Sequence, residues 1–315
     1  VETTPESGAV SIDRALTVGG YVHDQNGQYK ESTRRLYGHA WQQFTAWCKE
    51  RWISSLPATP ETVALYAQDL LREGYVVGTI RSRITAIHAR HRQAGHPVPD
   101  NVPAWIVLRD AGTGRVRPEV EPVGRTNLIA AIMKCDLSRS MGVRDRALTI
   151  LAWDLLIPAP ACIGLNIADV DIHDDADSSI RVGTRQIPIV HDHDPAIMCA
   201  VCATRDWINA MADVGITHGP LFRPVDRFDV IAGRVGGPRR CGSTQPGGRL
   251  TVRSMHRVWA RLVARSGIRV CTQRALRLGG ARHRIKHGEP LAEVLDRASW
   301  SPRTPSVVSR LVAPD

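Results

Sequence analysis

Arg274-Ala275-Leu276-Arg277-Leu278-Gly279-Gly280-Ala281-Arg282, carried on through Pro290-Leu291-Ala292-Glu293-Val294-Leu295 to Ser299-Trp300, is the stretch whose reading decides the fold. It reads as two helices, at about 274–287 and 290–298, with another expected over 304–311. It also lies in the most basic part of the chain. From Arg227 to Asp315 there are 18 basic and 5 acidic residues, a net +13, while the whole chain carries +10. The preceding 226 residues therefore sum to −3. Only Lys30, Lys49, Lys134 and Lys286 are lysines, so 37 of the 41 basic residues are arginine. Arginine offers the fork that fits phosphates and guanine edges. A final third this basic points to a polyanion partner, most simply nucleic acid.

Working outward, residues 251–266 read as a helix, preceded by a Gly/Pro/Arg loop over 234–248. Ile180-Arg181-Val182-Gly183-Thr184-Arg185-Gln186-Ile187-Pro188-Ile189 alternates apolar and polar around Gly-Thr, the pattern of a β-hairpin. Asp194-Pro195 is placed to open a helix through Met211, and earlier helices are expected at about 125–134 and 142–156. Ala111 to Pro122 is Gly/Pro rich without an apolar face and reads as a linker. Before it, Leu36, Ala40, Trp41, Phe44, Trp47 and Cys48 recur at helical steps from Glu31 to about Arg51. Thr59-Pro60 supplies an N-cap and a first-turn proline for a second helix ending near Gly74. A third runs from about Val77 to Gly95, and Asp100-Asn101-Val102-Pro103 starts a short fourth. The expected organisation is a flexible arm over 1–26, a helical core-binding (SAM-like) domain over 27–112, a linker over 113–122 and a mixed domain over 123–315.

Length and composition narrow the class. The chain's 315 residues suit two domains, and 43% hydrophobic with 23% charged residues excludes a mostly disordered chain. No apolar run reaches the ~18–20 residues of a membrane span. Val1-Glu2-Thr3-Thr4-Pro5 has no signal-peptide character. Seven cysteines, an odd number, fit a reducing cytoplasm rather than a disulfide framework. His191-Asp192-His193 followed by Cys199-Ala200-Val201-Cys202 has ligand-like spacing for zinc. Ile197, Met198 and Val201 beside the thiols instead make them small apolar residues on a helix's core face. Neither a metal nor a cofactor is expected.

Ordered blocks over nearly the whole chain resemble the tyrosine recombinase (phage integrase) family, most closely its Cre-like members. The blocks are Glu31-Ser32-Thr33-Arg34-Arg35-Leu36 through Lys49, Gly74 through Arg92, Arg144-Asp145-Arg146 through Val170, and Ala275 through Trp300. The resemblance implies a mainly α fold with a small β-sheet, in which a core-binding domain and a catalytic-like domain form a C-shaped DNA clamp. It also implies a chemistry. A tyrosine attacks a phosphodiester, two arginines and a His/Trp donor hold the phosphate, and a hairpin lysine, a histidine and an acid assist.

Most of those groups are missing here. Pro158 stands at the first arginine's position and Ala161 at the acid's, and two prolines in that segment should disturb the helix end. Arg185 is the basic residue nearest the lysine's place, and a guanidinium is a poor general acid. Arg274 replaces the histidine. All five tyrosines lie in the first 75 residues, and pattern matching puts Leu311 at the nucleophile's position, while counting from Trp300 puts Ser309 there. Arg277 and Trp300 are kept. The expectation is a pseudoenzyme, with Arg274, Arg277 and Trp300 holding phosphate without cutting it.

What remains is DNA reading. Arg34, Arg35, Arg81, Ser82, Arg83, Arg90 and Arg92 are candidate contacts in the helical domain. Leu250-Thr251-Val252-Arg253-Ser254 resembles the segment whose arginine reads a guanine in Cre-like proteins, so Arg253 is the candidate base reader. Arg239, Arg240, Arg257 and Arg261 are candidate phosphate contacts. The expected role is a bacterial plasmid or phage factor, cytoplasmic and associated with nucleoid or plasmid. It would bind a specific duplex site in regulation, segregation, replication or DNA architecture. Only Val312-Ala313-Pro314-Asp315 follow Leu311 here; if Asp315 is the natural end, monomers or dimers on DNA are expected rather than a synaptic tetramer. The alternatives are a strand transferase using Ser306 or Ser309 and a protein-interaction module on the same scaffold.

Overall fold

A computed structural model describes residues 31–111, 120–173, 177–192, 196–234, 248–266, 272–301, 309 and 311. The chain divides into two compact units, residues 1–119 and 120–315.

The described part of the first unit is helical: α1 (Glu31–Glu50), α2 (Pro60–Arg72), α3 (Val77–Gln93) and α4 (Val102–Asp110). Thr59 caps α2, its hydroxyl accepting the Thr62 N–H, with Pro60 in the first turn as expected. The core sits where α1 meets α2. Phe44, Trp47 and Tyr66 pack ring on ring with centroids 5.1–6.2 Å apart. The Trp47 indole donates to Asp69, so its one polar atom is satisfied at the core edge. Buried His91 ties α3 to the loop before α2. Its Nε2 accepts from the Ala58 N–H at 2.9 Å, which requires Nδ1 to donate to the Ile87 carbonyl at 2.8 Å.

The second unit carries α5 (Arg125–Ile132), α6 (Ser140–Asp154), α7 (Ala159–Gly164), α8 (Ala200–Ala212), α9 (Val252–Ser266), α10 (Gln273–Lys286) and α11 (Leu291–Arg297). A three-stranded antiparallel sheet, β1 (Val170–Asp171), β2 (Ser178–Val182) and β3 (Arg185–Ile189), stands between α7 and α8 in the chain. Ile180 pairs with Ile187 across the hairpin and both are buried. Gly183 turns it with φ +64°, a conformation that costs glycine nothing. The short strand β1 adds an edge that the hairpin pattern did not announce.

Helix α6 is buried on nearly every side, from Gly142 to Trp153. A helix buried on nearly every side belongs inside a core, and α8 and α10 pack against it. Gly279 and Gly280 let α10 lie against backbone, since a Cβ there would overlap the carbonyl oxygens of Val123 and Trp153.

One expectation holds and one changes. The chain does break after α6, as the prolines required: Leu156 takes φ +55° and Pro158 becomes the N-cap of α7. The helix expected from Asp194 starts later. Ala196–Met198 form a 3-10 turn, and α8 begins at Ala200 with Cys199 as its N-cap. A sulfur atom does there what Asp194 was expected to do. Residues 193–195 and most of the helix expected over 304–311 lie outside the described residues. Among the described residues, no helix is long and apolar enough to cross a membrane.

Candidate functional site

In the first unit the candidate arginines fall into two groups. Arg81 and Arg92 are exposed on α3 and share a stripe with Thr85. Arg81 also lies over the Trp105 ring, 4.3 Å from its centroid. Arg34 and Arg35 are exposed on α1, each paired with Glu31 at 2.8 Å. Such surface pairs are worth about 0–1 kcal/mol and yield readily to a better anion. Arg90 is exposed and donates to Gln93. Ser82 is half-buried. Arg83 belongs to the fold: it donates to the Tyr66 hydroxyl and stacks 4.2 Å over Tyr75.

In the second unit, helix α9 has two unlike faces. Met255, Val258, Trp259 and Leu262 are buried, while Arg253, His256 and Arg257 are exposed. Arg253 and Arg257 are one helical turn apart, and the helix has no acidic residue in its first turn. Like charges at this spacing destabilise a helix by about 0.2–0.5 kcal/mol, and cations at an N-terminus oppose the helix dipole. Both costs vanish against a polyanion. Arg261 is half-buried and pairs with Asp145 at 2.9 Å. Asp145 also accepts from Arg144 Nε at 2.9 Å, and both of these residues are buried. The expected phosphate ligand Arg261 is therefore part of an ion cluster that ties α9 to α6. Arg239 and Arg240 lie outside the described residues.

Several positions that match the family's catalytic groups make contacts within the fold. Leu311 is buried among Leu156, Leu278, Ala281, Val294, Leu295 and Ala298. Ser309 is exposed. Pro158 and Ala161 form the first turn of α7, with the Ala161 N–H bonded to the Pro158 carbonyl. Arg185 reaches from β3 to the end of α11, donating to the Asp296 carbonyl and carboxylate and to the Ser299 hydroxyl at 2.9–3.0 Å.

Arg277 is the most informative. Its Nε donates to the Leu156 carbonyl at 2.6 Å, another nitrogen donates to the Ala298 carbonyl, and the guanidinium lies 4.8 Å over Trp300. Those carbonyls flank two left-handed residues, Leu156 and Ser299 (φ +52°). The retained arginine brackets two strained bends and stacks on the retained indole. Arg274 is exposed in the first turn of α10. Burial, then the adjacent His287 and Arg125, push His283 down to about 4, so its ring is neutral at physiological pH.

Sequence reading missed several buried cations. Arg223 donates to the carbonyls of Pro220, Ala232 and His218. Arg146 joins Asp206 to the Ala196 and Ile197 carbonyls, and Arg284 joins Asp154 to Glu289. Charges inside otherwise apolar helices were the available signal for Arg144-Asp145-Arg146. The sequence also could not show that His191 meets Cys199 and Cys202, with Nδ1 3.7 and 3.9 Å from the two sulfurs.

No family model matches the chain. A curated relative, an integrase/recombinase XerD homolog of Selenomonas ruminantium, is 26% identical over 215 residues, covering 64% of this chain and 62% of that protein. The match thus spans less than two thirds of the relative's length. Among known structures, XerH site-specific recombinase bound to palindromic difH substrate aligns with TM-score 0.57 and 12% identity, over 91% of this chain and 77% of that one. A lambda integrase dimer bound to a COC′ core site aligns with TM-score 0.55 and 11% identity, over 91% and 92%. The chain has the tyrosine-recombinase fold, and 215 of its residues are similar in sequence to an integrase/recombinase homolog.

Proposed function

We propose that this chain is a catalytically inactive member of the recombinase scaffold that binds a specific double-stranded DNA site. It would act on nucleoid or plasmid DNA in the cytoplasm as a regulatory, segregation, replication or architectural factor. The observation that carries the reading is Leu311, an alkyl side chain buried in an apolar cluster at the position where pattern matching puts the nucleophile; counting from Trp300 puts it instead at exposed Ser309, which is not a tyrosine either. Pro158, Ala161, Arg185 and Arg274 at the companion positions point the same way. Arg185 and Arg277 are engaged by the fold itself, so neither is poised for acid chemistry. DNA binding is supported by the exposed Arg253–Arg257 pair, the +13 final third and the DNA complexes formed by the XerH and lambda integrase relatives.

The test is fluorescence anisotropy on an enriched duplex and on scrambled duplexes across a salt series. Affinity should fall steeply with salt, as arginine–phosphate contacts release counterions. Arg253→Ala should remove about 1–3 kcal/mol of preference for the enriched site while leaving nonspecific binding. Equal weakening on every sequence would sink the base-reading role of Arg253.

A further inference from the structure

We propose that His191, Cys199 and Cys202 form a zinc site that fastens the end of strand β3 to the start of helix α8. Their ligand atoms all lie within 4.8 Å of one another. Tetrahedral zinc with Zn–S near 2.3 Å and Zn–N near 2.0–2.1 Å places sulfur and nitrogen about 3.6 Å apart. The two observed separations are 3.7 and 3.9 Å. The two nitrogen–sulfur separations need little change to admit the ion.

The histidine is oriented for this work. Its Nε2 lies 3.3 Å from the His173 carbonyl, an acceptor only, so that nitrogen carries the proton. The Nδ1 lone pair then faces the two sulfurs. A backbone carbonyl holding the far ring N–H is the usual support of a metal-ligating histidine. The thiols are prepared as well. Cys199 is the N-cap of α8 and its sulfur accepts the Cys202 N–H at 3.4 Å. Burial and the neighbouring Cys199 push the Cys202 thiol up. Binding releases both thiol protons to solvent. Two thiolates and a neutral imidazole then balance the dication and leave its fourth position to water or another donor.

Cys199 is fully buried and Cys202, half-buried, packs against the same core, but a core-face role does not require both sulfurs to converge on one imidazole. The soft S₂N donor set selects zinc over magnesium or calcium.

The test is Co(II) titration of the full chain, prepared metal-free under reducing conditions, followed by Zn(II) displacement. One equivalent should give a thiolate-to-cobalt charge-transfer band and intense tetrahedral visible bands, both abolished by zinc. Cys202→Ser and His191→Ala should each lose the bands at the same cobalt concentration, with the fold checked by circular dichroism. If a variant does not fold, alkylation of the wild-type chain replaces it: zinc should protect Cys202 from iodoacetamide. No thiolate–cobalt band, no protection, or bands unchanged in both variants would overturn the site. So would ready formation of a Cys199–Cys202 disulfide by a reduced chain that takes up no metal.

Discussion

Asp145→Ala should lower the stability of the second unit by about 3–5 kcal/mol, the usual cost of stranding a buried charge. Arg144 is 3% exposed and Asp145 6%, so water cannot replace the lost carboxylate. Arg144 would keep its bond to the Arg223 carbonyl at 3.2 Å but lose its carboxylate partner. Arg261 would lose its partner too, and with it the tie between α6 and α9. Denaturant unfolding of the full chain reads the stability change. Duplex binding should weaken in the same variant, because α9 carries Arg253 and Arg257. Arg261→Ala, which removes the more exposed partner, should cost much less. Comparable losses for the two variants would mean that the cluster is not organised around Asp145.

Arg277→Ala should destabilise the second unit by about 3 kcal/mol or more. Hydrogen bonds from charged donors are worth about 1.5–3 kcal/mol each, and two carbonyl bonds go together with the stacking on Trp300. Arg277→Lys should not restore stability, since one ammonium cannot span the Leu156 and Ala298 carbonyls as a planar fork does. Thermal melts of the two variants, set beside their duplex affinities, separate a strut from a phosphate ligand. A strut variant melts lower and, below its melting point, binds duplex nearly normally. A stable variant with broken binding would restore the phosphate-pocket reading.

The fold was legible wherever local pattern decides structure. Thr59-Pro60 opened a helix, Gly183-Thr184 turned a hairpin, and the stretch around Gly279-Gly280 placed the helix that crosses the core at backbone distance. The start of α8 was misread because Asp194-Pro195 is the stronger sequence signal, whereas the cap is a cysteine. The site was less legible because its decisive contacts are distant in sequence. Asp145 meets Arg261, Arg185 meets Asp296 and Arg277 meets Leu156, and no local pattern encodes those partners. Sequence could say that Arg277 was kept; only geometry says what it holds. The same limit hid the zinc candidate. Its spacing was visible, but the turn at Ala196–Met198 that brings Cys199 round to His191 was not.

The central claim is duplex recognition without strand transfer. Its most direct measurement is selection of bound duplexes from a random pool by the full chain, with the bound fraction then run on a denaturing gel. The account predicts a short enriched sequence and no nicked or covalently attached DNA. A covalent adduct would contradict it, and mapping that adduct, beginning with Ser306 and Ser309, would identify a working nucleophile.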